Sequence, residues 1–84
     1  MDLNLEIITP NSVLYSSDVG LIQLPGINGR FTVLKNHAPI VSVLNNGTIR
    51  VIGKDGKESF FECEGGIFEC NNNKAYVLID SEKK

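Results

Sequence analysis

The sequence predicts an all-β protein, an antiparallel β-sandwich or flattened barrel of about eight to ten short strands. Three observations predict it. Turn-forming Pro, Gly, Asn and Asp recur at short intervals, and every interval between them is strand-length. β-branched and aromatic residues dominate between the turns. No window sustains a helical apolar period over three turns.

Leu3–Thr9 alternates Leu3, Leu5 and Ile7 with Asn4 and Glu6, then stops at Thr9-Pro10-Asn11-Ser12, where Pro10 lacks a ladder donor. Val13–Ser17 and Val19–Leu24 form a second extended stretch, with a bend or bulge expected at Ser16-Ser17-Asp18. Arg30–Leu34 and Ile40–Leu44 flank the Lys35–Pro39 loop. Asn46-Gly47 predicts a tight hairpin into Thr48–Ile52, because both residues tolerate positive φ. Asp55-Gly56 predicts the next, into Lys57–Cys63. Gly65-Gly66 turns the chain into Ile67–Cys70, and Asn71-Asn72-Asn73 into Lys74–Asp80. Strand alternation puts Phe61 with Cys63 on one face and Phe60 with Glu62 and Glu64 on the other, so Phe60 is expected at the surface. The last strand is apolar on both faces, as a central or partner-covered strand would be. Leu5, Ile7, Val19, Leu24, Phe31, Val33, Val51, Phe61, Cys63, Val77 and Ile79 are the expected core.

The 84 residues make one domain, residues 1–80, followed by a polar tail, 81–84, expected to be disordered. A chain this small buries only about 60–65% of its unfolded surface and gains stability from a partner. Hydrophobic content of 42% and charged content of 21% describe a folded chain. A net charge of −2 with scattered Lys and Arg argues against nucleic acid, which needs a clustered basic face. No apolar run is long enough for a transmembrane helix, and the first residues lack the basic and apolar regions of a signal peptide.

The motifs that could carry chemistry are few. Gly26-Ile27-Asn28-Gly29 leads into a strand, whereas a phosphate-binding loop opens a helix. His37 is the only histidine; Asn36-His37-Ala38-Pro39 reads as a structured loop whose imidazole caps a backbone group or meets a partner. Cys63 and Cys70 lie too far apart for a C-x-x-C site and, with one histidine, too few for zinc. Two reduced, buried thiols are expected. No catalytic residue, cofactor or metal site is expected.

Longer stretches carry a resemblance. Leu5-Glu6-Ile7-Ile8-Thr9-Pro10 and Val13-Leu14-Tyr15-Ser16 come first, then Leu24-Pro25-Gly26, Gly29, Phe31, Leu34 and His37-Ala38-Pro39 in one ungapped register. Asn46–Val51, Gly65–Cys70 and Ala75–Asp80 follow in order. Together these resemble the epsilon subunit of the bacterial F-type ATP synthase over nearly the whole chain. Four positions depart from that pattern: Arg30 stands where an acidic residue is common, Thr32 replaces a glycine, and Lys35-Asn36 replaces Pro-Gly.

The resemblance implies a non-catalytic rotor subunit, peripheral on the cytoplasmic side of the bacterial inner membrane. It would link the gamma shaft to the ring of c subunits and couple proton translocation to ATP synthesis at the alpha/beta head. Gly29, Arg30 and His37 are the implied ring-facing positions, and Thr9, Pro39, Ile40 and Val41 the implied gamma-facing ones. The family usually continues into a C-terminal helical hairpin that carries inhibition and, in some members, ATP binding; neither function is expected of residues 1–84. The alternative reading is a free-standing β-sandwich that binds a protein or peptide through a sheet edge. Sugar binding is disfavoured by the absence of Trp and the presence of only two Tyr.

Overall fold

A computed structural model describes residues 2–80; the expected tail at 81–84 lies outside them. Eight strands follow in order: β1 (Leu3–Ile8), β2 (Val13–Gly26), β3 (Gly29–Val33), β4 (Ile40–Leu44), β5 (Gly47–Gly53), β6 (Glu58–Cys63), β7 (Gly66–Asn71) and β8 (Lys74–Ile79). There is no helix among the described residues. The strands run β1-β8-β7-β4-β2-β5-β6, with β3 beside β2 and β1 closing back on β2. One layer is therefore β1, β8, β7 and β4, the other β3, β5 and β6, and β2 belongs to both. All pairs are antiparallel except β1–β8, which is parallel.

The 14-residue β2 lets the sheet fold over. Ser16, Ser17 and Asp18 pair regularly with Glu6, Leu5 and Asn4, so the bend expected there is absent. The irregularities fall on either side: Ile7 and Ile8 pair Tyr15 and Val13, leaving Leu14 extra, and the β5 register slips between Val19 and Leu21. An extra residue bends and twists a strand, so bulges at these two points turn one strand into two layers.

Two expected turns are crossovers. β4 pairs with β7 and β2, never with β5, so Asn46-Gly47 is not a hairpin. Gly47 is required for closeness instead, since a Cβ there would lie 2.8 Å from Pro25 Cβ. Nor do β6 and β7 pair; Gly65, at φ 139°, carries the chain between layers. The other turns are the expected ones. Asn72 and Asn73, at φ 56° and 63°, close the β7–β8 hairpin in the left-handed region that Asn tolerates best after Gly. Gly56, at φ 87°, closes β5–β6.

The core lies between the layers. Nine of the expected residues are buried, while Phe31 and Phe61 are half-buried and pack against it. Leu3, Ile22, Leu44, Ile49, Phe68, Cys70 and Ala75 complete it. Phe68 is fully buried and meets the Phe31 ring edge-on at 5.9 Å, while Tyr15 meets Phe61 at 5.6 Å. Cys63 and Cys70 are both buried free thiols. Cys63 Sγ–H donates to the Asn45 carbonyl at 3.7 Å, and burial pushes the Cys70 thiol up from its ordinary pKa.

Candidate functional site: an apolar outer face

In an antiparallel sheet with one wet face, outward positions should be polar. β1 obeys at Asn4 and Glu6, but its neighbours do not. Val43 lies opposite Ile67, Ile67 opposite Leu78, and Leu78 opposite Ile8. Four apolar side chains thus form a row across β4, β7, β8 and β1, about 14 Å wide at the usual strand spacing. Val43, Ile67 and Leu78 are each about half exposed, and Val41 on the same strand as Val43 is 71% exposed. The next row, Val41–Glu69–Tyr76–Glu6, frames the patch with two carboxylates. Contiguous exposed apolar surface of this kind marks a protein interaction site.

The row ends in a cavity of about 330 Å³ lined by Ile8, Thr9, Pro10, Gly66, Ile67, Leu78, Ile79 and Asp80. Local chemistry holds its rim. Thr9 N–H donates to the Ser12 carbonyl at 2.9 Å, and Thr9 Oγ1 accepts from Ser12 N–H at 3.1 Å, so the turn is braced from both sides. At Gly66 a Cβ would collide with the Leu78 carbonyl, so only glycine lets β7 and β8 pack this closely.

The positions implied by the resemblance are divided by this geometry. Val41 lies on the apolar face and Thr9 on the cavity rim. Ile40 turns inward and packs against the core. Pro39 lies in a separate polar cavity of about 340 Å³ with Asn36, His37, Ala38 and Asn71–Asn73. Gly29 and Arg30 open β3, whereas His37 stands four residues beyond its end, so the two sets share neither a pocket nor a hydrogen bond. Arg30 Nη1 donates to the Thr48 carbonyl at 2.8 Å, which tethers it over β5. His37 Nδ1–H donates to the Ala38 carbonyl at 2.7 Å, the backbone cap expected of it. Val43, Ile67, Leu78 and Ile8 are not among the site positions expected from the sequence. Their signal in the sequence is the presence of apolar residues at both strand parities in Val41–Leu44 and Val77–Ile79.

The described residues contain no cluster of three His, Cys, Asp or Glu side chains able to hold a metal. Fold and face together define a small β-sandwich domain with an uncovered apolar surface on one layer. Residues 2–83 match the family model for the ATP synthase delta/epsilon chain β-sandwich domain, and the chain belongs to that family. It is 40% identical over 76 residues to the ATP synthase epsilon chain of Chlorobaculum tepidum, spanning 90% of this chain and 86% of that one. The epsilon chain of Campylobacter fetus is 36% identical over 78 residues, and this chain spans 60% of it. A chain of the Euglena gracilis mitochondrial ATP synthase, solved as its OSCP/F1/c-ring assembly, superposes with a TM-score of 0.91 at 19% identity. That match covers 98% of this chain and 52% of the other, and the likeness is one of fold.

Proposed function

We propose that this chain is an epsilon-type subunit of the central stalk in a rotary ATP synthase, binding the gamma shaft and the c ring and catalysing nothing itself. The observation that carries the shaft assignment is the row Val43–Ile67–Leu78–Ile8, an apolar face on a member of this family. A partner that covers this row buries apolar area, and the gain on covering it is about 25 cal/mol per Å². Val41 and Thr9 extend the same surface. Pro39 and Ile40 would contribute only through the conformation of the β3–β4 loop.

Contact with the ring falls to loops. Gly29-Arg30 and His37 would reach it through two separate loops, one tethered to Thr48 and one braced by Asn73. The stiffness of a closed sandwich suits torque transmission, because neither layer can shear without breaking β2. The setting proposed is peripheral, at the cytoplasmic face of a bacterial inner membrane. Gly26 and Gly29 pair with each other as a strand hairpin and present no helix N-terminus, so ATP has no cradle there. Capture of the gamma chain by the folded subunit, alongside calorimetry with ATP, tests the reading. Gamma capture without ATP binding supports it. Micromolar ATP binding, or no gamma capture by a folded sample, overturns it.

A further inference from the structure

Among the described residues β6 pairs with β5 alone, so its other side is a free edge. The hydrogen-bond phase tells which groups that edge presents. Gly53 N–H donates to the Lys57 carbonyl at 2.8 Å, which makes Gly53 and Lys57 a bonded pair. Bonded and unbonded pairs alternate along an antiparallel ladder. Val51–Ser59, Ile49–Phe61 and Gly47–Cys63 are therefore bonded, whereas Ile52–Glu58, Arg50–Phe60 and Thr48–Glu62 are not. The N–H and C=O groups of Glu58, Phe60 and Glu62 consequently point away from β5, toward solvent.

The same three side chains stand on the outer face of the sheet. Phe60 is 60% exposed between Glu58 and Glu62, both exposed. Glu62 accepts from Thr48 Oγ1 and has no cationic partner among the described residues, while Glu58 pairs with Arg50. A second copy is a poor occupant. Placing Phe60 against Phe60 in a two-fold strand pair sets Glu58 opposite Glu62 twice, and like charges directly opposed destabilise a sheet.

We propose that β6 is a docking edge for an extended basic segment of a partner protein, which adds a strand through the backbone groups of Glu58, Phe60 and Glu62. Charge complementarity selects it: an apolar side chain covers Phe60, and Lys or Arg two residues to either side face Glu58 and Glu62. This edge lies on the opposite layer from the apolar face, so the proposal stands independently of shaft binding.

The test is an NMR titration of the isotope-labelled chain with the peptide Thr-Lys-Thr-Val-Thr-Lys-Thr and its Glu-for-Lys counterpart. The expected result is saturable shifts and exchange protection at the Glu58, Phe60 and Glu62 amides with the basic peptide, and binding at least tenfold weaker with the acidic one. Phe60→Pro removes an edge donor without touching the β5 ladder and should abolish binding. Glu62→Lys, at an exposed position, should weaken the basic peptide tenfold and improve the acidic one. Absence of shifts at millimolar peptide, shifts confined to the Val43–Leu78 face, equal affinity for both peptides, or β6-mediated self-association would each overturn it.

Discussion

Asn36 and Asn73, on loops 37 residues apart, hold each other by two hydrogen bonds: Asn73 Oδ1 accepts from Asn36 N–H at 2.7 Å, and Asn73 Nδ2 donates to Asn36 Oδ1 at 3.0 Å. Both sit at positive φ, 66° and 63°. Asn73 is the one buried polar residue among those described, and its carbonyl also accepts from Asn4 N–H at 2.9 Å. The His37 loop, the β7–β8 hairpin and the start of β1 are thereby joined. Asn36 stands where the epsilon pattern has glycine, so it supplies the left-handed backbone and adds an amide that glycine lacks.

Asn73→Ala should therefore cost about 1–3 kcal/mol, since it leaves Asn36 N–H without its acceptor. Asn36→Gly keeps the backbone geometry and should cost less than Asn36→Ala, which loses both the geometry and the amide pair. Urea unfolding of the three variants checks the order. Equal losses for Asn36→Gly and Asn36→Ala would contradict it.

Much of this fold is legible in the sequence, and the failures have a common cause. Leu3, Leu5 and Ile7 alternate so cleanly that β1 and its buried face follow directly. Asp55-Gly56 and Asn71–Asn73 name their own hairpins through the φ they tolerate. Asn46-Gly47 has equally strong turn chemistry and misleads, because local chemistry does not say whether the next strand returns to the same layer. Leu44 pairs with Gly26 and Gly66, contacts distant in sequence. The same limit explains the site: Val43, Ile67, Leu78 and Ile8 form a row only once β8 lies parallel to β1.

Phe68 anchors the core from β7, fully buried against Phe31. Phe68→Ala should destabilise the chain by about 3–5 kcal/mol, and Cys63→Ala by about 1–2 kcal/mol as a smaller truncation. Denaturant midpoints with unchanged slopes would establish both. A near-neutral Phe68→Ala would show that this ring does not fill the space between the layers.

The thiols give a pH prediction. Burial raises the folded-state pKa of Cys70 above the ordinary thiol value of 9.0, so the folded state holds its proton longer than the unfolded state. The stability associated with this group is complete below 9.0 and is lost as pH rises through the folded value. Cys70→Ala should flatten the alkaline arm of the stability–pH curve. In native buffer both thiols should resist alkylation and in denaturant both should react; a mass two hydrogens low with neither alkylated would mean a disulfide.

Charge at Arg30 should act on association alone. Its guanidinium is exposed and tethered to the Thr48 carbonyl, so Arg30→Glu should leave the unfolding midpoint within about 0.5 kcal/mol of the parent. Binding to a purified c ring should change in salt dependence as the sign reverses. An Arg30→Glu chain with an unaltered salt slope would remove this loop from the ring-facing surface.

The outer face of β4, β7, β8 and β1 is the surface proposed to grip the shaft. Affinity for the gamma chain, measured by calorimetry for the parent, Leu78→Lys and Phe60→Pro, tests that role most directly. Leu78 is about half exposed in the middle of the apolar row, so a lysine there should leave the fold intact while placing a charge under the partner. Leu78→Lys should bind at least tenfold more weakly, and Phe60→Pro should keep the parental affinity. Parental affinity for a folded Leu78→Lys chain would contradict that role.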